Sequence, residues 1–191
     1  MTLQEAVNLL QDKNLDIEKV KELYEKFGEE IEGNVAMNLS LRTSVYDREK
    51  EGGEIIKELL IKLSKAKDMG ARWAVAKNPH TPKEILEKLA KDEINLVRAL
   101  CATNPNTPKE ILIELFSDEK IVRDGLSGNP STPVKYLNIL ADDQDKMVRL
   151  RVAENPSSTK EILEKLSKDE DPDVSKAAEI HLEKLQKGEI S

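Results

Sequence analysis

Aromatic residues are scarce in this chain. Two Phe, three Tyr and one Trp make up 3% of 191 residues. A core must therefore be built from aliphatic side chains. The single cysteine, Cys101, excludes an internal disulfide and a multi-thiolate metal cluster. Two isolated histidines, His80 and His181, supply no metal-ligand spacing and no Cys–His dyad. No glycine-rich phosphate loop is present. No apolar run approaches the roughly 20 residues that span a bilayer. The N-terminal Met1-Thr2-Leu3-Gln4-Glu5 lacks a basic segment followed by an apolar one, so no signal peptide is expected and a cytoplasmic location fits best. An excess of positive charge is missing too: 30 Lys and Arg face 37 Asp and Glu, a formal net charge of −7. That balance argues against nucleic acid or an anionic membrane as the main partner. Acids recur as caps and solvated faces, not as a pair isolated in a pocket. The reading is non-enzymatic, with no cofactor and no metal.

What the chain does have is a repeat. Asn-Pro opens four related segments, Asn78 to Pro82, Asn104 to Pro108, Asn129 to Pro133 and Asn155 to Thr159, and successive Asn residues are 26, 25 and 26 apart. A fixed period of this size marks stacked structural units. Charged residues at 35% suit such an array, where each unit buries only a narrow apolar stripe. The pattern predicts a first helix after Thr81, Thr107, Thr132 and Ser158. Pro stands at or near its first position, and capping boxes are expected for Thr81/Glu84, Thr107/Glu110 and Ser158/Glu161. Its apolar stripe is Ile85, Leu86, Leu89 and Ala90 in the type unit. An Asp-bearing turn follows (Asp92, Asp118, Asp143, Asp169), then a shorter second helix built around Arg72, Arg98, Arg123 or Arg149.

At about 100° per residue, the slots before each Arg and three and four after it share one arc. They hold Val or Leu, or Cys101, and then small residues: Ala76, Ala102, Ser127 and Ala153. Cys101 reads as a buried apolar thiol. The arginines lie inside the same arc. They form either a structural ladder with the turn aspartates or a basic ligand-binding stripe.

This pattern resembles the leucine-rich repeat variant family. The motif is Asn-Pro-x-Thr-Pro-x-Glu, two apolar residues, a Leu-Ala pair, an Asp, then Val-Arg before the next Asn-Pro. The resemblance runs from Asp68 to about Ser175. It implies an all-α, HEAT-like α-solenoid of about four to five repeats, wound as a right-handed superhelix of α-helices and shorter, partly 3₁₀ helices, with helical caps at both ends. One member of that family carries an iron–sulfur cluster on N-terminal cysteines. This chain lacks those cysteines, so that cofactor does not carry over.

The expected organisation is a helical N-terminal cap over residues 1–66 and repeats with a C-terminal capping helix over 67–191. Helices are expected at Leu3–Asp12, Asp16–Phe27, about Glu30–Tyr46 and Glu54–Lys65. Gly33 to Asn38 has the shape of a second-helix ending, with Thr43–Gly53 as an insertion. His80 reads as a solvated turn residue and His181 as a packing residue of the last helix.

Outward slots that vary between units are the candidate binding residues. On second helices these are Trp73, Leu100, Leu150 and Arg151. On first helices they are Ile113, Val134 and Ile139, which replace charged residues of the type unit; they either form an apolar patch across the second and third repeats or pack, the isoleucines at least, against neighbouring units. Trp73 is either an exposed anchor or packed on the N-terminal cap. The leading functional expectation is a protein- or peptide-binding module. The alternative is a nucleic-acid-binding solenoid whose footprint is Arg72, Arg98, Arg123, Arg149 and Arg151.

Overall fold

The computed structural model describes residues 1–42 and 53–188. The expected insertion therefore lies, apart from Gly53, outside the described residues. The chain forms two compact units, Met1–Asn106 and Thr107–Ser191. Among the described residues every regular element is a helix.

The first unit contains α1 (Leu3–Leu9), α2 (Ile17–Phe27), a 3₁₀ turn (Gly28–Ile31), α3 (Glu32–Arg42), α4 (Glu54–Leu63), α5 (Met69–Lys77), α6 (Lys83–Leu89) and α7 (Asn95–Thr103). The second contains α8 (Lys109–Leu115), α9 (Lys120–Gly128), α10 (Val134–Leu140), α11 (Lys146–Glu154), α12 (Lys160–Leu166) and α13 (Pro172–Gln186). In each unit the helices alternate between two layers. One layer stacks α3, α5 and α7 in the first unit, and α9, α11 and α13 in the second. This is α-solenoid packing.

A seven-residue helix such as α6 has too few internal hydrogen bonds to stand alone. Ile85, Leu86 and Leu89 anchor it with 5%, 0% and 3% of their surface exposed. Burying each such side chain is worth about 1.5–3 kcal/mol. Between neighbouring second helices the contact slots hold Ala36, Ala76 and Ala102 in the first unit, and Ser127 and Ala153 in the second, all at 3% exposure or less. Small residues there let the helix backbones approach.

Polar side chains fix the register of the stack. Asn104 Nδ2 donates to the Ala76 carbonyl at 2.8 Å and to the Asn78 carbonyl at 2.9 Å, 28 and 26 residues back. Asn155 repeats this in the second unit, to Ser127 at 2.7 Å and Asn129 at 3.0 Å. Asn38 does the same in the N-terminal region, to Leu10 at 2.8 Å and Asp12 at 2.9 Å. In the repeated turns the Oδ1 atom accepts the backbone N–H two residues on, as from Asn106 at 3.0 Å and Ser157 at 2.8 Å. One amide thus closes its own helix and grips the unit before it.

The expected capping boxes are not formed. The N-cap positions of α6, α8 and α10 are Pro82, Pro108 and Pro133, without side-chain caps. Thr81, Thr132 and Ser158 instead donate backward, to the carbonyls of Val75, Leu126 and Val152 at 2.6, 2.8 and 2.6 Å. Each hydroxyl satisfies a carbonyl at the open end of the preceding helix, where acceptors are in surplus. In the last regular repeat the cap passes to Thr159, which accepts from Ile162 N–H at 3.5 Å.

His181 packs on the last helix as expected and makes a bond besides, whereas His80 is less solvated than expected. His181 is only 8% exposed, and its Nδ1 bonds the Ala153 carbonyl at 2.8 Å, 28 residues back. It occupies the asparagine slot of the terminal unit, with the proton on Nδ1 because a carbonyl can only accept. His80 is half-buried, and its Nε2 is buried with no partner among the described residues.

Replacing Asn104 by Ala removes two buried bonds at once. We expect a loss of about 2 kcal/mol in chemical denaturation. Replacing the exposed Lys83 by Ala should change stability by less than about 0.5 kcal/mol. Equal effects from the two would contradict this account of the register.

Candidate functional site

The arginine of one unit meets the turn aspartate twenty residues on. Arg72 Nε donates to Asp92 Oδ2 at 2.7 Å and its NH2 to Oδ1 at 3.2 Å. Arg149 and Asp169 make the same pair at 2.8 and 3.0 Å, and Arg123 Nε reaches Asp143 at 2.9 Å. The remaining guanidinium edge donates to turn carbonyls: Arg72 to Ala66 at 2.9 Å, Arg98 to Asp92 at 2.9 Å, Arg149 to Asp143 at 2.9 Å. The Arg72 and Arg149 side chains are 13% and 11% exposed. Bidentate pairing of this kind uses the whole guanidinium fork.

A second, more exposed series went unnoticed in the sequence. Lys120 pairs with Asp145, and Lys146 with Asp171, each at 3.0 Å. Both aspartates also cap the helix they precede, accepting from Met147 and Asp173 N–H. The signal was available as a Lys followed 25 residues later by an N-cap Asp.

The rungs set the charge state of their acids. Burial works against ionising Asp92, but the Arg72 bond and the Ile94 N–H outweigh it, so its pKa lies below the ordinary value. The Arg149 bond leads the lowering of Asp169. Glu32 stands where the repeat places its Arg, six residues before Asn38. It is 7% exposed, and desolvation first, then Glu29 and Asp68, raise its pKa. The Asp68 backbone N–H is its compensating donor. Cys101 is fully buried, and desolvation pushes its thiol up to about 12, which keeps it protonated and unreactive.

The candidate binding residues fall into two groups. On second helices, Trp73, Leu100 and Leu150 are half-buried. Lys77 Nζ lies 5.4 Å from the Trp73 ring centroid. Arg151 is exposed but pairs with Asp124 at 2.8 Å, so it braces α9 against α11. On first helices, Ile113, Val134 and Ile139 are 41%, 44% and 46% exposed. They sit on α8 and α10, which meet through the edge-on rings of Phe116 and Tyr136, 4.8 Å between centroids. Among the described residues no group of His, Cys, Asp and Glu is arranged to hold a metal ion. Nor is any described helix long and apolar enough to cross a membrane.

No protein-family model and no curated protein matches this chain. Among solved structures it is similar to one described as a leucine-rich repeat variant with a novel repetitive protein structural motif. The identity is 22%, the match covers 92% of this chain and 80% of that one, and the TM-score is 0.48.

Two substitutions test the rungs through their pH dependence. Asp92 and Asp169 are depressed in the folded state, so their contribution is present at neutral pH and is lost as the pH falls through their folded pKa values. Asp92→Asn should cost about 2 kcal/mol at pH 7, because it removes the bidentate carboxylate and leaves the largely buried guanidinium with only Glu93, at 3.7 Å, as a charged partner. The deficit should shrink on acidification. Glu32 has the opposite sign: its raised pKa favours the folded state at low pH, and that contribution is lost as the pH rises. Glu32→Gln should therefore stabilise the protein at pH 7 and confer no gain below about pH 4. Denaturation curves of both variants across that range give the answer.

Proposed function

We propose that this chain is a non-catalytic module that binds another protein through an apolar face on the first-helix layer of its second unit. The observation that carries the reading is Ile113, Val134 and Ile139 standing over 40% exposed on the successive first helices α8 and α10. In α12, of the same unit, the matching slots hold Glu164, Lys160 and Lys165. The scaffold thus accepts charge at these positions, and the branched aliphatics are not required for stacking. Exposed apolar clusters without a structural need are a mark of partner surfaces. Leu150, half-buried in the same unit, serves as a secondary contact.

The arginines favour this reading over a nucleic-acid footprint. Arg72, Arg123 and Arg149 bond the turn aspartates of the following repeat, and Arg151 bonds Asp124. A groove for phosphates needs guanidinium groups with free donors.

The test is capture from nuclease-treated lysate with the intact chain and with the Ile113→Glu/Ile139→Glu variant. Loss of retained protein by at least tenfold, with thermal stability unchanged, is the expected result. Capture that survives the double substitution, or that vanishes with nuclease treatment alone, would overturn the assignment.

A further inference from the structure

Each asparagine rung needs two carbonyls released by a helix ending in the unit before it. Asn104 and Asn155 find them because α5 and α9 stop at Lys77 and Gly128. Asn78 does not. It is 3% exposed, and its Nδ2 is buried with no acceptor among the described residues. Its neighbour His80 has a buried Nε2 in the same condition. In the other turns that slot reaches the carbonyl of the earlier Asn-Pro proline, as Ser157 Oγ does to Pro130 at 2.6 Å and Asn106 does to Pro79.

The reason lies in α3, which packs against α5. With Asn38 as the preceding asparagine of the series, 40 residues back rather than 26, the corresponding acceptors for Asn78 are the Ala36 and Asn38 carbonyls, and the one for His80 is Leu39. But α3 runs on to Arg42 instead of ending at Asn38. Ser40 Oγ takes the Ala36 carbonyl at 3.0 Å. Asn38 Oδ1, which in the repeat accepts the N–H two residues on, accepts Arg42 Nε at 2.8 Å. A further Arg42 bond goes to the Leu15 carbonyl. Arg42 thus clamps one more helical turn in place. The sequence explains why this turn is permitted: Asn38 is followed by Leu39, where the repeat has Pro, so nothing forbids the helix from continuing.

We infer that the last turn of α3, Leu39–Arg42, is a two-state element. In the helical state Ser40 Oγ and Arg42 Nε bond Ala36 and Asn38, and two buried polar groups at Asn78 and His80 have no partner among the described residues. In the recoiled state the helix ends at Asn38, as every Asn-Pro unit does. The Ala36 and Asn38 carbonyls then accept the Asn78 amide, and the ladder runs unbroken into the N-terminal region. Each state makes bonds that the other forgoes, and that exchange sets their relative populations. The helical state also places Met37 and Leu41, 57% and 46% exposed, one turn apart on a single face; recoil dissolves that ridge.

A double-mutant cycle on the full chain tests this. Leu41→Pro forces the helix to end early and removes only a half-exposed side chain. Asn78→Ala removes the amide that recoil would satisfy. The expected result is coupling: Leu41→Pro lowers the melting temperature less in the wild-type background than in the Asn78→Ala background, by roughly 2–4 °C, the equivalent of one hydrogen bond. Slowed exchange of the Asn78 side-chain amide in Leu41→Pro should accompany it. Equal decrements in both backgrounds, with Asn78 amide exchange unchanged, would overturn the proposal. An Asn78 amide already protected in the wild type to the level of Asn104 would overturn it as well.

Discussion

The asparagine side chain that spans two carbonyls of the preceding unit is the constraint on which the stack depends. A helix of nine residues ends with carbonyls that have no partner in their own turn. In this fold those carbonyls become the acceptors that locate the next unit. Asn104 and Asn155 each place two donors against such a pair, while their Oδ1 atoms hold the following turn shut. Each amide works inside the core, where no water competes, and an unmade bond is correspondingly unfavourable. Apolar burial supplies most of the stabilisation, but Leu against Leu can slip by a residue. Two bonds to carbonyls at fixed spacing cannot.

The arginine and lysine rungs act on the same seam from the outside. Arg72 and Arg149 tie a second helix to the next unit's turn, and that turn's aspartate in addition accepts its own backbone N–H. Where the array ends, the devices change in a consistent way. Ser175 stands in the arginine slot of α13, and His181 makes one of the two asparagine bonds. At the other end Glu32 replaces the arginine, and Ala66 stands six residues before Arg72, where Asp92 and Asp143 stand before Arg98 and Arg149. A buried acid that resists ionisation is tolerable only where a backbone donor, here Asp68 N–H, is at hand.

Much of this was legible in the sequence because repetition exposes slot roles. The all-α stack, the burial of Cys101 and the small residues between second helices all follow from comparing four units; whether Ile113 and Ile139 face outward or pack on neighbouring units does not. Other features were misread for one physical reason. Capping boxes and the solvated His80 were inferred from local chain chemistry, yet Thr81, Ser158 and His181 bond according to which carbonyls stand open nearby. Local pattern names the donor; the end of the neighbouring helix decides where it goes. The extension of α3 past Asn38 belongs to the same class, since the missing Pro beside Asn38 was visible but its effect on Asn78 was not.

Function on such a scaffold is confined to what stacking does not consume. Most repeated polar residues of the motif are engaged: asparagines with carbonyls, arginines with aspartates, threonines with helix ends. What remains are the slots where units disagree, and disagreement carries weight only if the scaffold tolerates the alternative. Arg151 fails that criterion as a free anchor, because Asp124 holds it between α9 and α11. Val134 and Ile139 meet it, because α12 keeps the same backbone with lysines in their place. The exposed aliphatics of α8 and α10 are thus positions where the fold itself does not dictate the residue.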